Sequence, residues 1–131
     1  MKSAANPALA ENSLVVRFLH PPDFLDARVE GFASPAGAAA VLRQIAAERE
    51  RTGYARVLVD CTLVIGQLAP SDHELVGAQI AGYLGAARCA GVAPPGAPAG
   101  EITPGARRGG ANYPGFASRE EAIAWLRREA P

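Results

Sequence analysis

The side chains that could do chemistry in this chain are few, and their spacing limits what they can do. His20 and His73 stand far apart, with no cluster of further ligands at metal spacing around either, so no metal site is expected. Cys61 and Cys89 sit in apolar runs, where a free thiol behaves as a small hydrophobe, and two cysteines make no disulfide framework. A nucleophile pair of either thiol with His73 would need an orienting third group and an oxyanion hole. The sequence points to neither. Gly105, Gly109 and Gly110 do not follow a strand or open a good helix, so they are not a phosphate-cradling loop. No catalytic residue and no cofactor is expected.

Binding residues are easier to nominate. Asp60 falls at the end of the apolar run Arg56 to Cys61, and a carboxylate at a strand end either faces a cleft of an α/β protein or ties its own loop by Asx bonding. Ser34, Ser71 and Ser118 each precede a helical pattern and read as N-caps. Helix N-termini gathered at one sheet edge favour an anion, although an N-cap serine first serves its own helix. Leu63, Val64, Ile65 and Leu68 fall between a strand and a helix, in an expected loop from Thr62 to Pro70. Four such side chains should not all sit in water, so they fold into the core, line an apolar pocket or form a partner surface.

The elements that must hold these residues follow from pattern and punctuation. Leu14 to Leu19 is a β-type run stopped by Pro21 and Pro22, and Phe24 to Phe32 alternates with period 2. A short turn between them makes the pair antiparallel. Ser34-Pro35 opens a helix that runs to Arg51, with Ala38, Val41, Leu42, Ile45 and Ala46 on its apolar side and Gly53 as its stop. Arg56 to Cys61 is a strand covered on both faces. Ser71 and Asp72 open a second helix with an apolar face of Leu75, Val76, Ile80, Tyr83 and Leu84, and Cys89 to Ala93 forms the next strand. After a Pro- and Gly-rich loop, Glu101 to Gly110 has room for a short helical turn, and Asn112 to Phe116 is a marginal edge strand interrupted by Pro114. Ser118 to Glu121 is a capping box for a last helix bearing Ala122, Ile123, Trp125 and Leu126. Strands alternating with helices give a mainly parallel α/β sheet of four to five strands with one antiparallel N-terminal edge strand.

Length and composition set the remaining bounds. The 131 residues suit one domain, read here as residues 14–131 behind a flexible tail of residues 1–13. Thirteen basic and thirteen acidic residues cancel, leaving no electrostatic footprint for nucleic acid or an anionic membrane. Met1 to Asn12 does not read as a signal peptide and no apolar run is long enough to span a bilayer, so the cytoplasm is the expected compartment.

Gly31 to Ser34, the run Leu58-Val59-Asp60 and the closing pattern from Phe116 through Glu121, Ala122, Trp125 and Leu126 resemble the STAS-like domains of the bacterial group similar to the sporulation anti-sigma-factor antagonist (SpoIIAA-like, STAS/SEC14-like). The resemblance covers about Leu14 to Leu126. It implies a regulatory domain without enzymatic activity. The chain departs from true antagonists where a phosphorylatable serine follows an Asp-Ser pair: here the neighbourhood reads Leu68-Ala69-Pro70-Ser71-Asp72, and only Ser71 lies nearby. Two readings remain open. One is a module that binds a protein partner, or a second copy through the edge strand Leu14 to Leu19, using the Thr62 to Ser71 segment and the helix after it. The other is a carrier of a small apolar or amphipathic acidic ligand, the SEC14-like alternative. A cavity under Leu63, Ile65 and Leu68 would favour the carrier, and a flat exposed patch there would favour the partner.

Overall fold

A computed structural model describes residues 14–128; the expected tail of residues 1–13 lies outside them. The first strand, β1 (Leu14–Leu19), runs antiparallel to β2 (Leu25–Phe32). The next strands, β3 (Arg56–Ile65), β4 (Arg88–Val92) and β5 (Gly115–Phe116), add in sequence order and in parallel. The five-stranded sheet therefore has the order β1-β2-β3-β4-β5, the expected α/β architecture.

Helix α1 (Pro35–Thr52) begins and ends on the residues that the sequence marks. The Ser34 Oγ accepts a hydrogen bond from the Gly37 N–H at 3.0 Å, and Gly53, at a φ of 80°, donates its N–H to the Arg49 carbonyl. Its Val41, Leu42 and Ile45 pack on Leu25, Ala27 and Val29 of β2 and Val57 and Val59 of β3. Helix α2 (Pro70–Leu84) lies on the same face through Val76, Ile80 and Leu84. The short helix α3 (Thr103–Arg108) is packed against it. Helix α4 (Arg119–Arg127) covers the opposite face, where Ala122 and Leu126 meet Phe24, Leu58, Ala90 and Val92. Ser118 caps it by accepting from the Glu121 N–H at 3.2 Å.

Three expectations need correction. The segment Thr62 to Ile65 is not loop but the second half of β3. Its side chains are β-branched or large and apolar, and it continues pairing with β2 after a register shift between Arg28 and Glu30. Ser71 is not an N-cap: the cap is Ala69, without a side-chain bond, and Pro70 takes the first helical position. Leu75 and Tyr83, assigned to the buried side of α2, are exposed at 48% and 40%, because the sheet meets only the Val76, Ile80 and Leu84 stripe.

Candidate functional site

Successive residues of a strand point to opposite faces, so Asp26 of β2 and Asp60 of β3 fall on the α4 side of the sheet. Both are buried, at 2% and 3% exposure. Charges so placed persist only when paired and hydrogen-bonded. The partner is Arg119, the first residue of α4. Its Nη1 donates to Asp60 Oδ2 at 2.6 Å and to Asp26 Oδ1 at 3.1 Å, while Nη2 donates to Asp26 Oδ2 at 2.9 Å. Arg28 adds a second cation, with Nη2 3.2 Å from Asp26 Oδ2. The remaining Asp60 oxygen accepts the Thr62 N–H at 2.9 Å, the Asx bond two residues on. Burial pushes the Asp60 carboxyl up; the Thr62 N–H and the Arg119 guanidinium together outweigh it and hold the group below the usual carboxylate range. Arg119 is held firmly protonated, first by Asp26 and against the effect of burial, with Asp60 adding to it.

The far end of α4 is tied as well. Arg56 Nε donates to the Leu126 carbonyl at 2.7 Å and Arg88 Nη2 to the Trp125 carbonyl at 2.7 Å, with the Arg88 guanidinium 3.7 Å from the Trp125 ring centre. These bonds satisfy carbonyls that a helix leaves open at its C-terminus. Asp60 thus belongs to the fastening of α4 and does not face an open cleft.

The end of β3 sorts its apolar residues onto two faces. The register shift carries Val64 toward the core with Cys61, both packed against the cluster under α1 and α2. Leu63 and Ile65 are left on the other face, 57% and 59% exposed. Their register partners on β2 are Glu30 and Phe32, so a strip of sheet beyond the reach of α4 presents Phe32, Leu63 and Ile65 beside a carboxylate.

On the opposite side a cleft opens at the carboxyl ends of β3 and β4, the edge where α/β sheets bind ligands. It has a volume of about 160 Å³ and is walled by Cys61, Val64, Leu68, Gly91, Ile102 and Tyr113 among others. A second cavity of about 100 Å³ lies between the sheet and α1 and α2, and also touches Ser34. His73 and Glu101 line the outer cleft, with His73 Nε2 3.5 Å from Glu101 Oε1.

Cys61, His73 and Glu101 therefore share one cleft, but Cys61 and His73 form no hydrogen bond. Burial, with Asp60 nearby, pushes the Cys61 thiol up to about 12, and a neutral thiol is a poor nucleophile. The candidate residues do not converge. Leu68 lines the cleft, Leu63 and Ile65 form the outer strip, Asp60 lies under α4, and Ser71 is exposed on the first turn of α2. Ser34 and Ser118 each cap their own helix. Among the described residues, no group of His, Cys, Asp and Glu could hold a metal ion.

No protein-family model matches the sequence, and neither does any curated protein. The fold does have solved counterparts. One is an anti-sigma factor antagonist from Mycobacterium paratuberculosis, aligned over 92% of this chain and 99% of its own at 13% identity and a TM-score of 0.60. The fold is STAS-like. Within this STAS-like domain, Arg119 and Tyr113 are the site residues that the sequence reading missed. The signal for Arg119 was present in part: Asp26 stands between Leu25 and Ala27 on a strand otherwise suited to burial. Among the described residues no helix is long and apolar enough to cross a membrane.

Proposed function

We propose that this STAS-like domain is a non-enzymatic regulatory module of the cytoplasm that binds a protein partner through the exposed end of β3. One observation carries the reading. Leu63 and Ile65 project side by side from a rigid strand, more than half exposed, with Phe32 and Glu30 beside them. Large apolar side chains held on a strand cost little entropy to dock, and an apolar centre with a charged neighbour is the usual anatomy of a protein interface. The anti-sigma factor antagonist of the same fold supports a regulatory role and makes an anti-sigma factor the first class of partner to test.

The experiment is site-specific photo-crosslinking from position 63 in cells of the host, repeated from the exposed position 107 on α3. A single protein crosslinked from position 63, absent from position 107 and absent in an Ile65→Asp background, supports the proposal. A crosslink to a second copy of the chain makes the domain a dimer and moves the interface to self-association. Equal, diffuse labelling from both positions sinks the β3 surface.

A further inference from the structure

The outer cleft combines features that the partner surface does not use. Two adjoining hollows, both partly open to the surface, share a wall of Ala33, Cys61, Val64, Leu68, Ile102 and Tyr113. That wall contains one polar atom of consequence, the Tyr113 hydroxyl. Tyr113 is only 6% exposed, and its phenol lies over Gly91, so close that a Cβ there would fall 2.3 Å from the hydroxyl. The ring is held by its own backbone, since Thr103 Oγ1 donates to the Tyr113 carbonyl at 2.5 Å. The hydroxyl itself forms no hydrogen bond with any described residue. The ring is buried but the oxygen is accessible from the cleft, so its hydrogen-bond partner there is water or a ligand.

We infer that the cleft is a binding site for a small neutral molecule, about one aromatic ring in size, whose single hydroxyl or amine group pairs with the Tyr113 hydroxyl. Size follows from volume: an apolar cavity of roughly 150 Å³ admits a benzene ring, and the outer cleft measures about 160 Å³. Neutrality follows from the apolar floor of Cys61, Val64, Leu68 and Ile102, which cannot solvate a charge of either sign. An acid is disfavoured further by a lining that holds no lysine or arginine and includes the Glu101 carboxylate. An acidic head group would meet that carboxylate, and His73, the one basic side chain of the lining, already faces Glu101 at 3.5 Å. Of the two ligand kinds that the sequence leaves open, apolar or amphipathic acidic, the cleft thus suits an apolar one that carries a single polar group. His73 and Glu101 sit at the mouth on α2 and on the loop before α3, where they give the site a polar rim around an apolar floor.

The test uses phenol, benzene and benzoate as probes, each titrated into the intact ¹⁵N-labelled protein and followed residue by residue by NMR. Phenol is expected to shift the Cys61, Leu68, Gly91 and Tyr113 amides saturably, with a dissociation constant below about 1 mM. Loss of one hydrogen bond should weaken phenol about three- to tenfold in Tyr113→Phe and leave benzene unchanged. Benzoate should bind at least tenfold more weakly than phenol. If Tyr113→Phe does not fold, the phenol-to-benzene affinity ratio in the native protein, expected to be about three or more, carries the same comparison. Absence of saturable shifts with phenol and benzene, shifts confined to Leu63 and Ile65, or tighter binding of benzoate would each overturn the inference. Failure of phenol and benzene to bind, or tighter binding of benzoate, leaves the partner surface untouched, since Leu63 and Ile65 lie on the other face of the sheet.

Discussion

Arg119 Nη1 meets Asp60 Oδ2 at 2.6 Å, joining the first residue of α4 to the middle of β3. The same guanidinium grips Asp26 on β2, so one side chain spans two adjacent parallel strands from above. Helix α4 makes its backbone-level contacts mainly with β3, β4 and β5. Arg119 is what extends its hold to β2. The arrangement fixes where α4 stops covering the sheet, and therefore how much of Phe32, Leu63 and Ile65 is left open.

Replacing Arg119 by Met removes the cation that the two buried carboxylates share, leaving Asp26 with Arg28 alone and Asp60 with the Thr62 N–H. Breaking a buried pair in this way costs about 3–5 kcal/mol, a large fraction of the stability of a domain this size. Urea unfolding of Arg119→Met at pH 7 is expected to show that loss. A cost under about 1 kcal/mol would mean that water already screens the cluster and that packing alone holds α4.

Acid should act on the same cluster through Asp60. Its carboxyl titrates below the ordinary value of 3.8 in the folded protein, so it contributes stability that is complete above about pH 4 and is lost as the pH falls through the lower, folded value. Asp60→Asn should lower stability at pH 7 and remove part of the acid sensitivity. The difference in slope between the two proteins below pH 4 is bounded by about 1.4 kcal/mol per pH unit for one proton. Parallel stability curves in chemical denaturation from pH 2 to 7 would remove Asp60 from the acid response.

The N-terminal half was legible in the sequence because its punctuation is unambiguous. Pro21 and Pro22 cannot extend a ladder, Ser34-Pro35 can only start a helix cleanly, and Gly53 takes a left-handed φ. The second half of β3 was not legible because a strand was expected to end near its charged residue. Asp60 is instead buried within the strand, and the register shift just after it breaks the alternation that would have marked Leu63 and Ile65 as surface. Arg119 was hidden for another reason. Its partners lie 59 and 93 residues away in the chain, a distance over which periodicity carries no information. The cleft is also a property of packing: it depends on how Tyr113, after α3, comes to lie over Gly91 and on where the loop before α3 runs. Gly and Pro in that loop fix local turns but not their destination.

Both thiols should be unreactive in the folded protein. Burial pushes Cys61 and Cys89 up to about 12 from 9.0. Alkylation by iodoacetamide at pH 8 is expected to be far slower than in urea, with Cys61, which lines the cleft, modified before Cys89 at 2% exposure. Because these folded values lie above the unfolded ones, the associated stability is complete below about pH 9 and is lost as the pH rises toward 12. Tyr113, raised by burial first and by the two neighbouring thiols next, adds to the same alkaline loss. Fast, equal labelling of both cysteines in the native protein would show that the cleft opens well beyond the geometry described.

Two glycines of α2 separate local propensity from packing within a single helix. A Cβ on Gly77 would fall 2.5 Å from the Ala106 N and 2.7 Å from the Gly105 carbonyl carbon, whereas a Cβ on Gly82 meets nothing within 4 Å. Alanine in place of either glycine gains about 1 kcal/mol in helix propensity. At Gly82 that gain stands alone, and Gly82→Ala is expected to stabilise the domain by up to that amount. At Gly77 the methyl must drive α3 off α2, backbone from backbone, and overpacking of this kind costs about 1–3 kcal/mol. Gly77→Ala should therefore be destabilising in thermal unfolding, opposite in sign to its neighbour five residues on. It should also loosen Ile102 and Thr103, which begin α3 and line the cleft, so that Cys61 is alkylated faster while Cys89 is not. Stabilisation by both substitutions would mean that α3 yields freely, and the Tyr113 carbonyl would then lose the fixed partner that Thr103 gives it.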